Sequence, residues 1–140
     1  MILLNFLINE NIKNILRYAE KERYDLKHPY VGTEHLLLSF LKIGNDEIKN
    51  ILNDYGLSYD LFKNTLINHI GIGNINFNVI LYTPLLRNVI SNSIVYSKDN
   101  IIDENSLFFS FYYSEEGIAK SLLKIIGIEF NKKQYYKLYY

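Results

Sequence analysis

Glu34 and His35 stand side by side in Gly32-Thr33-Glu34-His35, directly ahead of the apolar run Leu36-Leu37-Leu38. A carboxylate in the first turn of a helix either complements the positive end of the helix dipole or serves as a ligand group. An imidazole just before a buried leucine run has the setting of a hydrogen-bonded structural histidine rather than a catalyst. The other histidines, His28 and His69, complete neither an HxxxH nor an HExxH pair, so no metal site is expected, and no cofactor. The chain has no Cys, which removes thiolate catalysis, disulfides and Cys-based zinc sites together. Asp103-Glu104 and Glu115-Glu116 are neighbours in sequence, the pattern of helix-start charges rather than of a converging acid–base pair. No GxxxxGK[ST] loop and no GxSxG elbow occurs. These residues point to binding, and no catalytic residue is expected.

The elements that hold them read as helices. Ile12, Ile15, Leu16 and Ala19 recur at helical spacing behind Asn9, a good N-cap, and Glu10, favourable at the dipole's positive end. This predicts a helix from about Asn9 to about Tyr24, broken by His28-Pro29. A second helix starts near Thr33, capped by its hydroxyl, and buries Leu36, Leu37 and Phe40. After a turn at Gly44-Asn45, a third carries Ile48, Ile51 and Leu52 and ends at Gly56, a left-handed C-cap. Ser58 starts a fourth with Leu61, Phe62, Leu66 and Ile70. Gly71-Ile72-Gly73-Asn74-Ile75-Asn76 is a loop signal. Thr83-Pro84 is then a strong helix start, a cap followed by Pro at the first helical position. Helices near 103–113 and 115–126 follow, with a short last one over 130–138. No strand is expected.

The chain says nearly the same thing twice. LLLSFLKIGNDEIKNILNDYGL (36–57) aligns with LFFSFYYSEEGIAKSLLKIIGI (107–128), every pair 71 positions apart. Ser39 maps onto Ser110, Phe40 onto Phe111, Leu52 onto Leu123 and Gly56 onto Gly127. Earlier in the halves, Ile12, Ile15, Leu16 and Ala19 match Leu86, Val89, Ile90 and Ser93 at an offset of 74. The second copy has therefore lost about three residues between Tyr96 and Asp103, close to one helical turn. Each half is too small to bury its apolar face alone and stacks on its duplicate. The expected fold is all-α: two tandem four-helix repeats, about eight helices, in one domain over 1–140. Repeat one covers about 9–71, the linker about 72–81, and repeat two about 82–140.

Fifteen basic and fifteen acidic side chains balance to zero net charge, which argues against a nucleic-acid binder. No apolar run is long enough to span a membrane. The opening MILLNFLI lacks the basic region and cleavage site of a signal peptide, so a cytoplasmic location is expected. The Tyr-rich tail, 135–140, is read as packing on the core rather than as a partner surface.

The stretch Tyr30-Val31-Gly32-Thr33-Glu34-His35-Leu36-Leu37-Leu38 resembles the "IGTEHLLL" signature of the Clp N-terminal repeat, which occurs twice in the N-domain of Clp/Hsp100 AAA+ unfoldases. The order also resembles that family: an Asn-capped helix, the GTEH box, a helix end of the form I-L-x-x-x-G-[LI], and Tyr82-Thr83-Pro84 opening the second copy. The box and the YTP opening are similar to the ClpC type.

The resemblance implies a pseudo-twofold, non-catalytic binding domain above an ATPase ring. It implies partners of two kinds, adaptor proteins and unfolded or arginine-phosphorylated substrates, with a AAA+ ring in cis. It implies a phosphoarginine pocket in each repeat: the phosphate at the N-terminus of the repeat's first helix, the guanidinium on the Glu of GTEH. By motif, the first site uses Asn9 and Glu34. The second has Thr83, but its box reads Asp103-Glu104-Asn105-Ser106. Glu34 maps onto Asn105, and Glu104 is one position away. At most one competent pocket is expected. The alternative is a stand-alone regulatory or inhibitory protein that kept the fold without an ATPase, consistent with the decayed second box.

Overall fold

The computed structural model describes residues 7–134, and the Tyr-rich tail at 135–140 lies outside them. Helix α1 (Glu10–Asp25) is capped by Asn9, whose side chain accepts the Asn11 N–H at 2.7 Å. It is followed by α2 (Thr33–Ile43), α3 (Asp46–Asp54) and α4 (Tyr59–His69). Asn45 and Ser58 cap α3 and α4 through their side chains. In the second half come α5 (Pro84–Asn92), a 3-10 turn (Ser93–Tyr96), α6 (Glu104–Tyr113) and α7 (Ile118–Ile126). Thr83 caps α5 by accepting the Leu86 N–H at 3.1 Å. Gly56 and Gly127, both at positive φ, close α3 and α7.

The all-α expectation holds, with three local differences. Thr33 is not the cap of α2 but its first helical residue, because Gly32 takes the cap position and His35 supplies the side-chain acceptor. Helix α7 begins at Ile118 rather than near Glu115. Gly117, at φ 110°, turns the chain there, and a Cβ on it would lie 2.6 Å from the Leu85 side chain and 2.8 Å from Thr33 Oγ1. Finally, residues 130–134 of the expected last helix form an irregular stretch and a turn; the rest of it lies outside the described residues.

Two short parallel pairings do appear. Strand β1 (Leu7–Ile8) pairs with β2 (Ile101–Ile102), and Val31 bridges Tyr82. Two-residue strands leave no periodic signal in a sequence. They join the halves crosswise. The residues leading into α1 hydrogen-bond to those leading into α6, with Asn9 N–H on the Ile102 carbonyl at 3.1 Å. The residues leading into α5 do the same to those leading into α2, with Thr83 N–H on the Val31 carbonyl at 2.9 Å.

The core is one cluster shared by both halves. Phe40 of α2 meets Phe108 of α6 edge-on at 5.3 Å. The duplication reappears as matched hydrogen bonds. Ser39 Oγ donates to the Ile15 carbonyl and Ser110 Oγ to the Val89 carbonyl, each at 2.6 Å and each tying the second helix of its half to the first. Ser39→Ala and Ser110→Ala are expected to cost about 1 kcal/mol each by urea denaturation. A cost confined to one of them would show that the pair is matched in geometry only. Where α1 has 16 residues, its counterpart has nine α-helical and four 3-10 residues, three fewer, as the shift in offset implies.

Candidate functional site

The sequence-derived sites pair Asn9 with Glu34 and Thr83 with Glu104, one pair per repeat. The structure brings these residues together in the other combination. The crosswise bridges place the N-terminus of α5, with Thr83, beside the start of α2, with Glu34. They place Asn9 beside the start of α6, with Glu104 and Asn105. A motif read along one repeat cannot show this, because the exchange between halves is made by backbone pairing.

At the Thr83 end, Gly117 packs close to both Leu85 of α5 and Thr33 of α2. Pro84 has no N–H, Leu86 N–H is capped by Thr83 Oγ1, and Arg87 N–H bonds the Thr83 carbonyl. Leu85 N–H is the donor of this turn left for an outside acceptor. The exposed Arg87 stands in the same turn and forms no ion pair among the described residues.

Glu34 is 5 % exposed. It folds back over Gly32, where a Cβ would lie 2.0 Å from Oε1, so the absence of a side chain at position 32 makes room for it. Oε1 is 3.9 Å from His35 Nδ1. That nitrogen accepts the Gly32 N–H at 2.9 Å, so it offers the carboxylate no proton. No Lys or Arg pairs with Glu34 among the described residues. Burial pushes its carboxyl up to about 7, against the pull of its own backbone N–H.

His35 is fully buried and sits in a proton-ordered chain. Because Nδ1 accepts from Gly32, Nε2 carries the proton and donates to His28 Nδ1 at 2.9 Å. His28 Nε2 in turn donates to the Gly71 carbonyl at 2.8 Å. Each ring carries one proton. Burial foremost, then repulsion from the charge His28 would bear if it took up a second proton and from Arg23, lowers His35 to about 3. The chain ties the start of α2 to the interrepeat linker. Sequence reasoning marked His35 as structural but missed His28 as its partner.

At the Asn9 end, Glu104 is committed elsewhere. Its Oε2 accepts the Asn45 N–H at 2.8 Å, capping α3 of the other half. Asn105 accepts from the Asn45 amide at 2.9 Å and donates to Glu47 at 2.7 Å. Thr33, which matches Glu104 at the 71-residue offset, does similar work, its Oγ1 facing the Ala119 N–H at 3.4 Å. So the position before Glu34 or Asn105 braces the opposite half, and the ligand position there holds an amide. Glu10 adds an acid to the first turn of α1.

Comparison with known proteins shows the family to which the chain belongs. The Clp repeat (R) N-terminal domain family matches residues 7–125. The chain is 26% identical over 126 residues to the negative regulator of genetic competence ClpC/MecB of Bacillus subtilis, covering 88% of this chain and 16% of that protein. It is 38% identical over 61 residues to a probable ATP-dependent Clp protease ATP-binding subunit of Chlamydia pneumoniae, covering 44% and 7%. It thus spans a small part of the length of these relatives. Among solved structures it resembles a ClpV N-domain in complex with a VipB peptide, at TM-score 0.66 and 17% identity, covering 95% of this chain and 84% of that one, a likeness of fold. The chain belongs to the Clp repeat N-terminal domain family.

Proposed function

We propose that this domain recognises protein partners, substrates or adaptors, for a ClpC-like ATP-dependent unfoldase, and that its pocket between Glu34 and the N-terminus of α5 reads phosphorylated arginine. The observation that carries the reading is Glu34, a buried carboxylate with no cation beside it, next to a helix N-terminus with a donor to spare. A guanidinium on Glu34 satisfies the first, as a charge-assisted pair. A phosphate at Leu85 N–H, helped by Arg87, satisfies the second. Both charges sit on one phosphoarginine side chain. The domain carries one such pocket, since the Asn9 end offers Asn105 in place of the carboxylate and Glu10 where the phosphate would lie. An apolar strip on the linker, with Ile72, Ile75 and Val79 all more than half exposed, supports a protein partner rather than a free metabolite.

Titration of the 140-residue chain with phosphoarginine, followed by heteronuclear NMR, tests this. Shifts at Thr33–His35 and Leu85–Arg87 are expected, and Glu34→Gln should weaken binding by about tenfold or more. Equal shifts at Asn9–Asn11 would show a second live site. No shift at millimolar ligand would overturn the reading.

A further inference from the structure

Two of the pockets outside this site correspond to each other across the duplication. The first, of 330 Å³, opens beside α3 and is lined by Lys49, Asn53, Leu57 and Tyr59. The second, of 280 Å³, opens beside α7 and is lined by Lys120, Lys124, Ile128 and Phe130. Each of these four residues of one stands 71 positions from its mate in the other. Both form where the chain turns back over the third helix of its half after a left-handed glycine. The duplication kept the cavity and changed its lining.

In the α3 copy the aromatic ring is already occupied. The Tyr59 hydroxyl donates to Glu22 at 2.8 Å, Lys63 reaches the same carboxylate at 3.1 Å, and Lys42 lies over the ring at 4.7 Å. In the α7 copy the ring is Phe130, and the group above it is Lys120. Its Nζ is 4.4 Å from the Phe130 ring centre and 4.9 Å from that of Phe111, and it donates to the Tyr112 carbonyl at 2.8 Å. No carboxylate pairs with Lys120 among the described residues. Lys124 lines the same cavity. Lys132 also lines it but is bound to Glu115, and Glu129 at the rim is exposed. Burial foremost, then repulsion from Lys132, lowers Lys120 to about 7. Leu123, Ile128 and Phe130 give the same cavity an apolar wall. An ammonium without a counter-ion facing an apolar wall lacks an anion with a hydrophobic neighbour.

We propose that this pocket binds an apolar carboxylate, a carboxyl group beside a hydrophobic side chain, as a polypeptide presents at a C-terminus ending in Leu or Phe. The carboxylate takes charge-assisted hydrogen bonds from Lys120 and Lys124, and the side chain lies on Ile128 and Phe130. A small free acid carries the same chemistry, so three ligands are needed. N-acetyl-Ala-Leu, its C-terminal amide and 4-methylpentanoate are each titrated into the 140-residue chain by heteronuclear NMR. Saturable shifts at Lys120, Lys124 and Ile128 are expected with the dipeptide acid. Binding should fall about tenfold or more for the amide and for Lys120→Met. If Lys120→Met does not fold, the exposed Lys124→Met should still weaken the acid without affecting the amide. Equal affinity for 4-methylpentanoate would support the chemistry and make a free acid its source. Equal affinity for the amide, shifts at Lys49 and Leu57 instead, or no shift at millimolar ligand would overturn the proposal.

Discussion

Glu34→Gln is expected to stabilise the ligand-free domain at pH 8 by about 2–3 kcal/mol, raising Tm by roughly 5–10 °C, and to change nothing at pH 4. Unfolded, Glu34 titrates near 4.5; folded, near 7. Between those values the folded chain keeps a proton that the unfolded chain has released. Stability therefore falls as pH rises through the window, and the full cost is present above pH 7. Gln keeps the shape and cannot ionise. Its gain should disappear once the wild-type carboxyl is protonated in both states. Thermal unfolding of both chains at pH 8 and pH 4 measures this. An equal effect at the two pH values, of either sign, would mean that the charge at position 34 is not what burial penalises. On the proposed function, a guanidinium beside Glu34 offsets this cost.

His35→Leu should be the most damaging single change near the site, at about 3 kcal/mol or more by urea denaturation with an unchanged m-value. The leucine leaves the Gly32 N–H and His28 Nδ1 without their partner in a buried place. The wild-type residue also has an acid signature. Its folded pKa, about 3, lies below the ordinary 6.5, so the unfolded chain takes up a proton first as pH falls. Stability contributed by neutral His35 is complete above pH 6.5 and is lost progressively toward pH 3, at roughly 1 kcal/mol per pH unit. Over pH 4.5–6.5 this loss on acidification runs against the gain from Glu34, so wild-type stability should be nearly flat there. Glu34→Gln removes the opposing slope and exposes the acid sensitivity. A flat profile in that variant would contradict the neutral imidazole chain.

Much of this was legible in the residues. Asn9, Ser58 and Thr83 are caps in the sequence and caps in the structure, because capping is a local bargain between one side chain and the next turn's N–H groups. Gly56 and Gly127 announced left-handed helix ends for the same local reason. Thr33 failed as a cap because Gly32, one residue earlier, leaves room for the Glu34 carboxylate, and a histidine three residues on does the capping. What was hidden is what passes between the halves. Glu104 reads as a ligand carboxylate until the Asn45 N–H is seen on it, 59 positions away in sequence. Thr83 reads as the partner of its own repeat's box until Val31 is seen beside it.

That crossed pairing has a consequence for how such a chain arises. The domain resembles a dimer whose two halves are clasped by crossed pairings and tied end to end. As separate molecules, two halves would meet only as fast as their concentration allowed. A short tether supplies a local concentration on the order of millimolar whatever the amount of protein. Under that protection one half is free to drift. The second copy could lose a helical turn and exchange its carboxylate for an amide while the assembly stayed closed. A symmetric pair of identical chains cannot divide its labour in this way, since a change in one subunit is a change in both.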